Sequence, residues 1–402
     1  MEKLKILFIK GDYLNKIGKD VGDILVVEDS LFKVIIFCIT TYGFIKTISR
    51  LFFYTKNIKN QSLYSNNIMR RLIRVPHFFR IPLIGKIYQT MKNVHCHFLL
   101  LYFESLLKKN KPDCVFVWNG SLMPESVLIS AAKRQNIKII YFEFGFFPGT
   151  LQVDAMGING NNSVVKKPEF YLNQSFSDTI LPTELNVRKS KHRSDSRHTV
   201  KEDYIFVPFQ VPSDMQILNL SPWIKSMVDF YEVIYELAQK FPNERFVIKE
   251  HPSFSLSIIN KVKKHHNIYF ANSENTRNLI EKAKFIITIN STVGIESILL
   301  GKKVISLGIA CYNIEGLVLH SDNMQALISC IKDIDKWQYN DELRSNFLKY
   351  IYQHYLLQGN LNNIDEQFIE NIRRRVTKTD AHSQFITYFE KEAELPSFTG
   401  AN

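Results

Sequence analysis

Acidic residues are missing from a long interval of this 402-residue chain: between Ser30 and Phe103 there is no Asp or Glu, while eleven lysines and arginines fall there. Cysteine is scarce too. Cys38, Cys96, Cys114, Cys311 and Cys330 are odd in number and lack paired spacing, which argues against a disulfide frame and for a reducing compartment. The longest apolar run, Leu31 to Ile45, contains Lys33 and falls short of the roughly 20 residues that span a bilayer. Nor does MEKLKILFIK at the start read as a signal peptide, since its apolar run is short and no small-residue cleavage site follows. Peripheral attachment is therefore the strongest membrane role the sequence supports. Neither G-x-G-x-x-G nor a Walker A loop occurs, which counts against a dinucleotide or ATP enzyme. His95, Cys96 and His97 adjoin one another, but adjacent side chains rarely converge on one ion without a second ligand pair, so no metal is expected.

What is present is ordinary globular usage, 45% hydrophobic and 22% charged, with length for two to three domains. The net charge of +12 favours anionic partners. Within the acid-free interval, Arg70, Arg71 and Arg74 are interleaved with aromatic and aliphatic residues such as Phe44, Phe78, Phe79 and Tyr88. Such a face suits a membrane interface or a lipid acceptor, and it equally suits a solvated helical surface. Nucleic acid is disfavoured because no recognised binding motif appears.

Short apolar runs alternate with helical patterns, the signature of parallel sheets with crossover helices. Strands are expected at Lys5 to Ile9, Ile24 to Val27, Cys114 to Trp118 and Lys138 to Glu143, with a helix at Pro124 to Gln135. After a polar stretch at 188–203, a second series runs through strands at Tyr204 to Phe209, Arg245 to Lys249, Asn267 to Phe270, Phe285 to Ile289 and Lys303 to Leu307. The expected organisation is a Rossmann-like N-terminal domain over 1–187 with a basic aromatic insertion at about 40–100, a linker over 188–203, a second Rossmann-like domain over 204–345, and C-terminal helices over 346–402. Two doubly wound α/β halves of this kind place a ligand cleft between them, the layout of a GT-B glycosyltransferase and also of many other two-lobed enzymes.

Polar residues cluster where these strands end. Glu143, before Gly145, is placed for general acid or base duty or for stabilising the turn. Gln210, Asp214 and Gln216 follow the strand at Tyr204; Asp214 suits a carboxylate nucleophile or a helix N-cap, and position alone favours the cap. Lys249, Glu250, His251 and Pro252 end the next strand, where a His fixed by proline and accompanied by a lysine suits a phosphate. Asn290, Ser291 and Thr292 open a helix carrying Glu296, a pattern that serves either as a phosphate site or as an ordinary cap.

Taken together and in this order, FEFGF, the D-x-x-G-x-N of Asp154, Gly157 and Asn159, FQVPSDMQI, KEHP, INSTVGIES and GIACYNIEGL resemble the capsule polysaccharide biosynthesis family of KpsS/KpsC type, bacterial β-Kdo glycosyltransferases that use CMP-Kdo. The resemblance covers about Cys114 to Leu317. It implies retaining transfer by double displacement: Asp214 as nucleophile, Glu143 as the base for the acceptor hydroxyl, and His251, Ser291 and Thr292 at the CMP phosphate. Glu296 is similar to a nucleotide-binding position, and Lys249, Pro252, Asn290, Gln210 and Gln216 fall in the same donor-binding motifs. It further implies no metal or other cofactor, a lipid or glycan acceptor, and work at the cytoplasmic face of the inner membrane, in contact with capsule assembly or export machinery. Phe144 departs from the family, which has an acidic residue there. Two alternatives stay open: a GT-B enzyme using another CMP-ulosonic acid or a UDP-sugar, and a non-catalytic membrane-docked scaffold for capsule assembly or export.

Overall fold

The computed structural model describes residues 4–57, 61–176, 179–185, 202–254, 257–359, 361 and 364–394. The chain divides into two compact units, the first made of Met1–Gly145, Gly149–Ile158 and Leu357–Asn402, the second of Phe146–Pro148 and Asn159–Leu356. In chain order the strands are β1 (Lys5–Ile9), β2 (Asp23–Val27), β3 (Cys114–Trp118), β4 (Lys138–Phe144), β5 (Thr150–Asp154), β6 (Tyr204–Pro208), β7 (Phe246–Lys249), β8 (Ile268–Phe270), β9 (Ala283–Thr288), β10 (Lys303–Ser306), β11 (Leu319–His320) and β12 (Leu357–Gln358). They form two six-stranded sheets, ordered β12-β5-β4-β3-β1-β2 and β11-β10-β9-β6-β7-β8.

The second sheet is parallel throughout. Its strands β6 and β7, YIFVP and FVIK, are apolar and buried along their whole length, as expected of central strands covered by helices on both faces. The chain lays β6, β7 and β8 side by side and then returns past β6 to place β9, so the winding reverses between β6 and β9. In open α/β sheets ligands bind at that point, beyond the strands' carboxyl ends.

The first sheet is parallel from β2 to β4 and then turns antiparallel at β5 and β12. Two Rossmann-like sheets in succession make this a GT-B class of α/β fold. The residues 188–201 of the expected linker lie outside the described residues.

Assignment in space differs from assignment along the chain. Residues 159–176 belong with the second unit, while the C-terminal helices return to the first. Helix Glu366–Thr377 docks there through Phe368, Ile369, Ile372 and Val376, and the guanidinium of Arg375 donates to the Val153 carbonyl at 2.7 Å and to Asp380 at 2.5 Å.

The acid-free interval forms helices Leu31–Tyr42, Phe44–Asn57, Gln61–Arg74, Pro76–Phe79 and Pro82–Asn110. The last is 29 residues long and changes character midway: Leu83, Ile87, Met91 and Val94 are exposed, while Cys96, Leu99, Leu100 and Phe103 pack into the first unit's core. Among the described residues no single helix is long and apolar enough to cross a membrane; Leu31–Tyr42 with Phe44–Leu51 passes that test only as a pair bent by 112°.

Candidate functional site

A pocket of about 630 Å³ lies in the second unit, at the carboxyl ends of β6 and β7 and beyond β9. Phe206, Pro208 and Phe209 line it from β6 and the residue after it. Its remaining walls are the turn after β7, the segment Asn272 to Arg277, and Ser291, Thr292, Val293 and Glu296. Thr183, Glu184 and Leu185 also line it, and Arg277 tethers that strip by donating to the Thr183 carbonyl at 2.5 Å.

Two helices begin at the pocket. Asn275 caps Thr276–Glu281, accepting from the Arg277 amide at 2.8 Å, and Ser291 caps Thr292–Leu299, accepting from the Val293 amide at 3.2 Å. Helix N-termini carry partial positive charge and backbone N–H groups, which suits a phosphate. The second start is braced from beneath: Tyr312, fully buried, donates to the Ser291 carbonyl at 2.8 Å. Glycine is required above it, because a Cβ on Gly294 would sit 2.4 Å from the Tyr312 hydroxyl oxygen.

The turn after β7 is fixed by Glu250. Its buried carboxylate accepts from the Asn272 amide at 2.8 Å, the Ser257 hydroxyl at 2.6 Å and the Ile258 backbone at 2.7 Å, while its own N–H donates to Asn272. Lys249 donates to the carbonyls of Glu274 and Asn272, and burial pushes its pKa down while nearby Glu274 opposes that shift. Lys249 therefore closes the turn that leads into the Asn275 cap. His251 lines the pocket, and its Nδ1 accepts from the Ser253 N–H at 3.2 Å. In the neutral ring that leaves Nε2 as the protonated, donating nitrogen.

The pocket is not a cationic bowl. Lys249 and Arg277 face Glu184, Glu250, Glu274 and Glu296 around its lining, so the overall +12 is not concentrated there, and the groups an anion would meet are the helix starts and the His251 ring.

Of the donor-site residues read from sequence, Lys249, His251, Pro252, Ser291, Thr292 and Glu296 line the pocket. Gln210 and Asn290 do not. Their side chains form a buried amide pair at 3.0 Å, and the Asn290 amide also donates to the Gln216 and Leu220 carbonyls at 3.2 Å, so the geometry makes them scaffold for the loops after β6 and β9. Asp214 and Gln216 also lie off the lining; Asp214, half-buried, caps Met215–Leu220 by accepting from the Gln216 amide at 2.9 Å. Reading the sequence missed Asn272, Glu250's clamp, Asn275 and Arg277. Asn275 is of a residue type that caps helices, but nothing local in the sequence says that it stands beside the pocket.

Glu143 belongs to the first unit, at the end of β4. Its carboxylate accepts from the Asn119 amide at 2.7 Å and from the Phe144 backbone at 3.0 Å. Asn119 itself sits in left-handed backbone at φ 62, beyond β3. Asp154, also in the first unit, is buried and turns the chain by accepting from the Met156 N–H at 2.7 Å. Arg70, Arg71 and Arg74 sit on helix Gln61–Arg74, with Arg71 and Arg74 exposed; burial and the two neighbouring guanidinium charges lower the pKa of Arg70.

Fold and pocket together define a two-unit α/β protein of GT-B class with a pocket at the winding reversal of its second sheet. The family model for capsule polysaccharide biosynthesis proteins matches residues 183–361, which include the whole pocket. Protein FixF of Sinorhizobium fredii is 44% identical over 300 residues, 74% of each chain. The capsule polysaccharide export protein KpsS of Escherichia coli is 24% identical, covering 46% of this chain and 64% of its own. The chain belongs to the capsule polysaccharide biosynthesis family, of KpsS/KpsC type. Among solved structures, the β-Kdo 2,4 transferase of Thermosulfurimonas dismutans KpsC is similar, with 17% identity, a TM-score of 0.45, and coverage of 65% of this chain and 87% of that one.

Proposed function

We propose that the chain is a retaining glycosyltransferase that transfers β-Kdo from CMP-Kdo to a lipid or glycan acceptor in surface polysaccharide biosynthesis. The observation that carries this reading is the pair of capped helix starts, at Asn275 and Ser291, sharing one pocket with His251 inside the family-matched residues. The pocket volume fits a ligand of nucleotide size. CMP offers one phosphate, and two helix N-termini with an imidazole donor supply the stabilisation it needs as it departs, without a metal.

In this mechanism the Asp214 carboxylate attacks the anomeric carbon, the bond to the phosphate oxygen breaks, and CMP leaves with the electron pair. Glu143 then takes the proton of the acceptor hydroxyl, whose oxygen displaces Asp214, and the two inversions give retention. Contact with the cytoplasmic face of the inner membrane is part of the same proposal, through Arg70, Arg71 and Arg74 and the exposed apolar residues of the helical insertion.

Mass spectrometry after incubation with CMP-Kdo tests it. The expected result is a Kdo ester on Asp214 that disappears in Asp214→Asn, with no adduct from CMP-sialic acid or UDP-sugars. Inverted product or an adduct on another residue refutes the mechanism, and turnover of a different donor replaces the substrate. A second reading, a docking scaffold without catalysis, is favoured by the exposed helical insertion and by the export role in the KpsS name. It predicts that no donor is consumed at all.

A further inference from the structure

Three aromatic rings from distant parts of the first unit meet at the carboxyl end of its sheet. Tyr13 follows β1, Trp118 ends β3 and Phe144 ends β4. Tyr13 stacks on Trp118 at 4.5 Å between centroids, and Phe144 stands edge-on to both, at 5.2 Å from Tyr13 and 5.1 Å from Trp118. These rings are not sealed in the core: Tyr13 is 40% and Phe144 48% exposed. Single exposed hydrophobic residues are common, but exposed rings gathered into one patch mark a binding surface.

The surroundings say what kind of ligand it suits. A flat lipid or protein interface would call for apolar residues around the rings. Here the next residue on β4 is Glu143, whose carboxylate is aimed by Asn119, the residue after Trp118. Strand alternation sends Glu143 and Phe144 to opposite faces of the sheet, so the carboxylate–amide pair and the rings flank the same carboxyl edge. Rings that offer an apolar face and electron density, next to a hydrogen-bonding pair, match a sugar, which has a C–H face and a rim of hydroxyls.

We infer that Tyr13, Trp118 and Phe144 form a platform on which a sugar ring of the acceptor stacks, presenting a hydroxyl toward Glu143. This rests on the glycosyltransferase reading for the word acceptor, but not for saccharide binding itself. The chain has three tryptophans, so the emission of Trp118 is obtained as the difference between the protein and Trp118→Phe. Titration with a Kdo disaccharide, with glycerol as control, is expected to give a saturable change in that difference emission. Phe144→Ala, at an exposed position, is expected to fold normally by circular dichroism and to weaken the disaccharide by roughly tenfold. No Trp118-dependent signal, an equal response to glycerol, or unchanged affinity in Phe144→Ala overturns the platform. CMP-Kdo consumption by the unaltered protein is measured separately: saccharide binding without consumption sinks the enzymatic reading and leaves the platform, and consumption without binding does the reverse.

Discussion

In the second unit six helices begin with a side-chain cap bond, from Asp214, Ser226, Asn275, Ser291, Asn323 and Asn340. In the first unit the helices starting after Gly11, Ser30, Ile81 and Pro124 have none, and the capped start there is that of the C-terminal Glu366–Thr377, where Asp365 accepts from the Phe368 N–H at 2.8 Å. The two sheets have the same number of strands, yet their strand ends are finished differently. Capped starts fix backbone N–H groups in one geometry, which suits recognition of a compact anion through main chain and helix dipole. The first unit instead presents side chains: open rings, a carboxylate, guanidinium groups and exposed aliphatics. Such surfaces suit a ligand that is broad or variable, as an acceptor or a membrane is.

The largest effect that tests this contrast is at the first unit's surface. Replacing Arg70, Arg71 and Arg74 together by Glu is expected to lower partition onto phosphatidylglycerol vesicles by at least about a hundredfold at low salt, since each base near an anionic surface contributes about 1 kcal/mol. Co-sedimentation with phosphatidylglycerol and with phosphatidylcholine vesicles measures it, and equal binding by variant and original protein would make this helix an ordinary solvated face.

The next effect lies in the second unit. Glu250→Ala strips the acceptor from Asn272, Ser257 and Ile258. The expected loss is about 3 kcal/mol of stability in urea unfolding, read by tryptophan fluorescence. Glu250→Gln, which keeps one oxygen, should lose less. If Glu250→Ala is neutral, the pocket wall is held by something other than its polar clamp.

The smallest effect is a pH dependence in the first unit. At the helix start after Pro124, burial first and Asp29 second push the Glu125 carboxyl up to about 7. Both folded and unfolded states are protonated below about pH 4.5, so no difference exists there. As pH rises from about 4.5 toward 7 the unfolded carboxyl ionises while the folded one keeps its proton, so the folded state loses stability across that window and the loss is complete once pH passes 7 and both are charged. Glu125→Gln is therefore expected to shift the urea midpoint upward above pH 7 and not at pH 4. A pH-independent shift would mean that the side chain is solvated.

Local features were legible without coordinates. Strands β1 and β3 run over the residues that their apolar runs indicate, and the helix start at Ser291 follows from the Asn290-Ser291-Thr292 run after its strand. Harder cases had physical reasons. TLQVD alternates polar with apolar, yet β5 is buried along its length because β12 and helix Glu366–Thr377 cover it from the far end of the chain. Asp214 reads as nucleophile or cap, and in this conformation its carboxylate accepts from the Gln216 amide. Gln210 and Asn290 stand in donor motifs, but the Gln210 amide donates to the Asn290 side-chain oxygen and the Asn290 amide donates to the Gln216 and Leu220 carbonyls, a choice set by contacts seventy to eighty positions apart.

The sequence alone determined that this is an α/β chain with two series of parallel strands, a family member with its motifs at strand ends, and a basic stretch free of acids. Those properties reside in neighbouring residues, through pattern, cap and charge. Tertiary structure alone decided that Glu250 clamps the turn, that the C-terminal tail completes the first sheet, and that Tyr13, Trp118 and Phe144 share one corner. Each of these depends on segments far apart in the chain, whose meeting is fixed by burial of the sheets and not by any local preference.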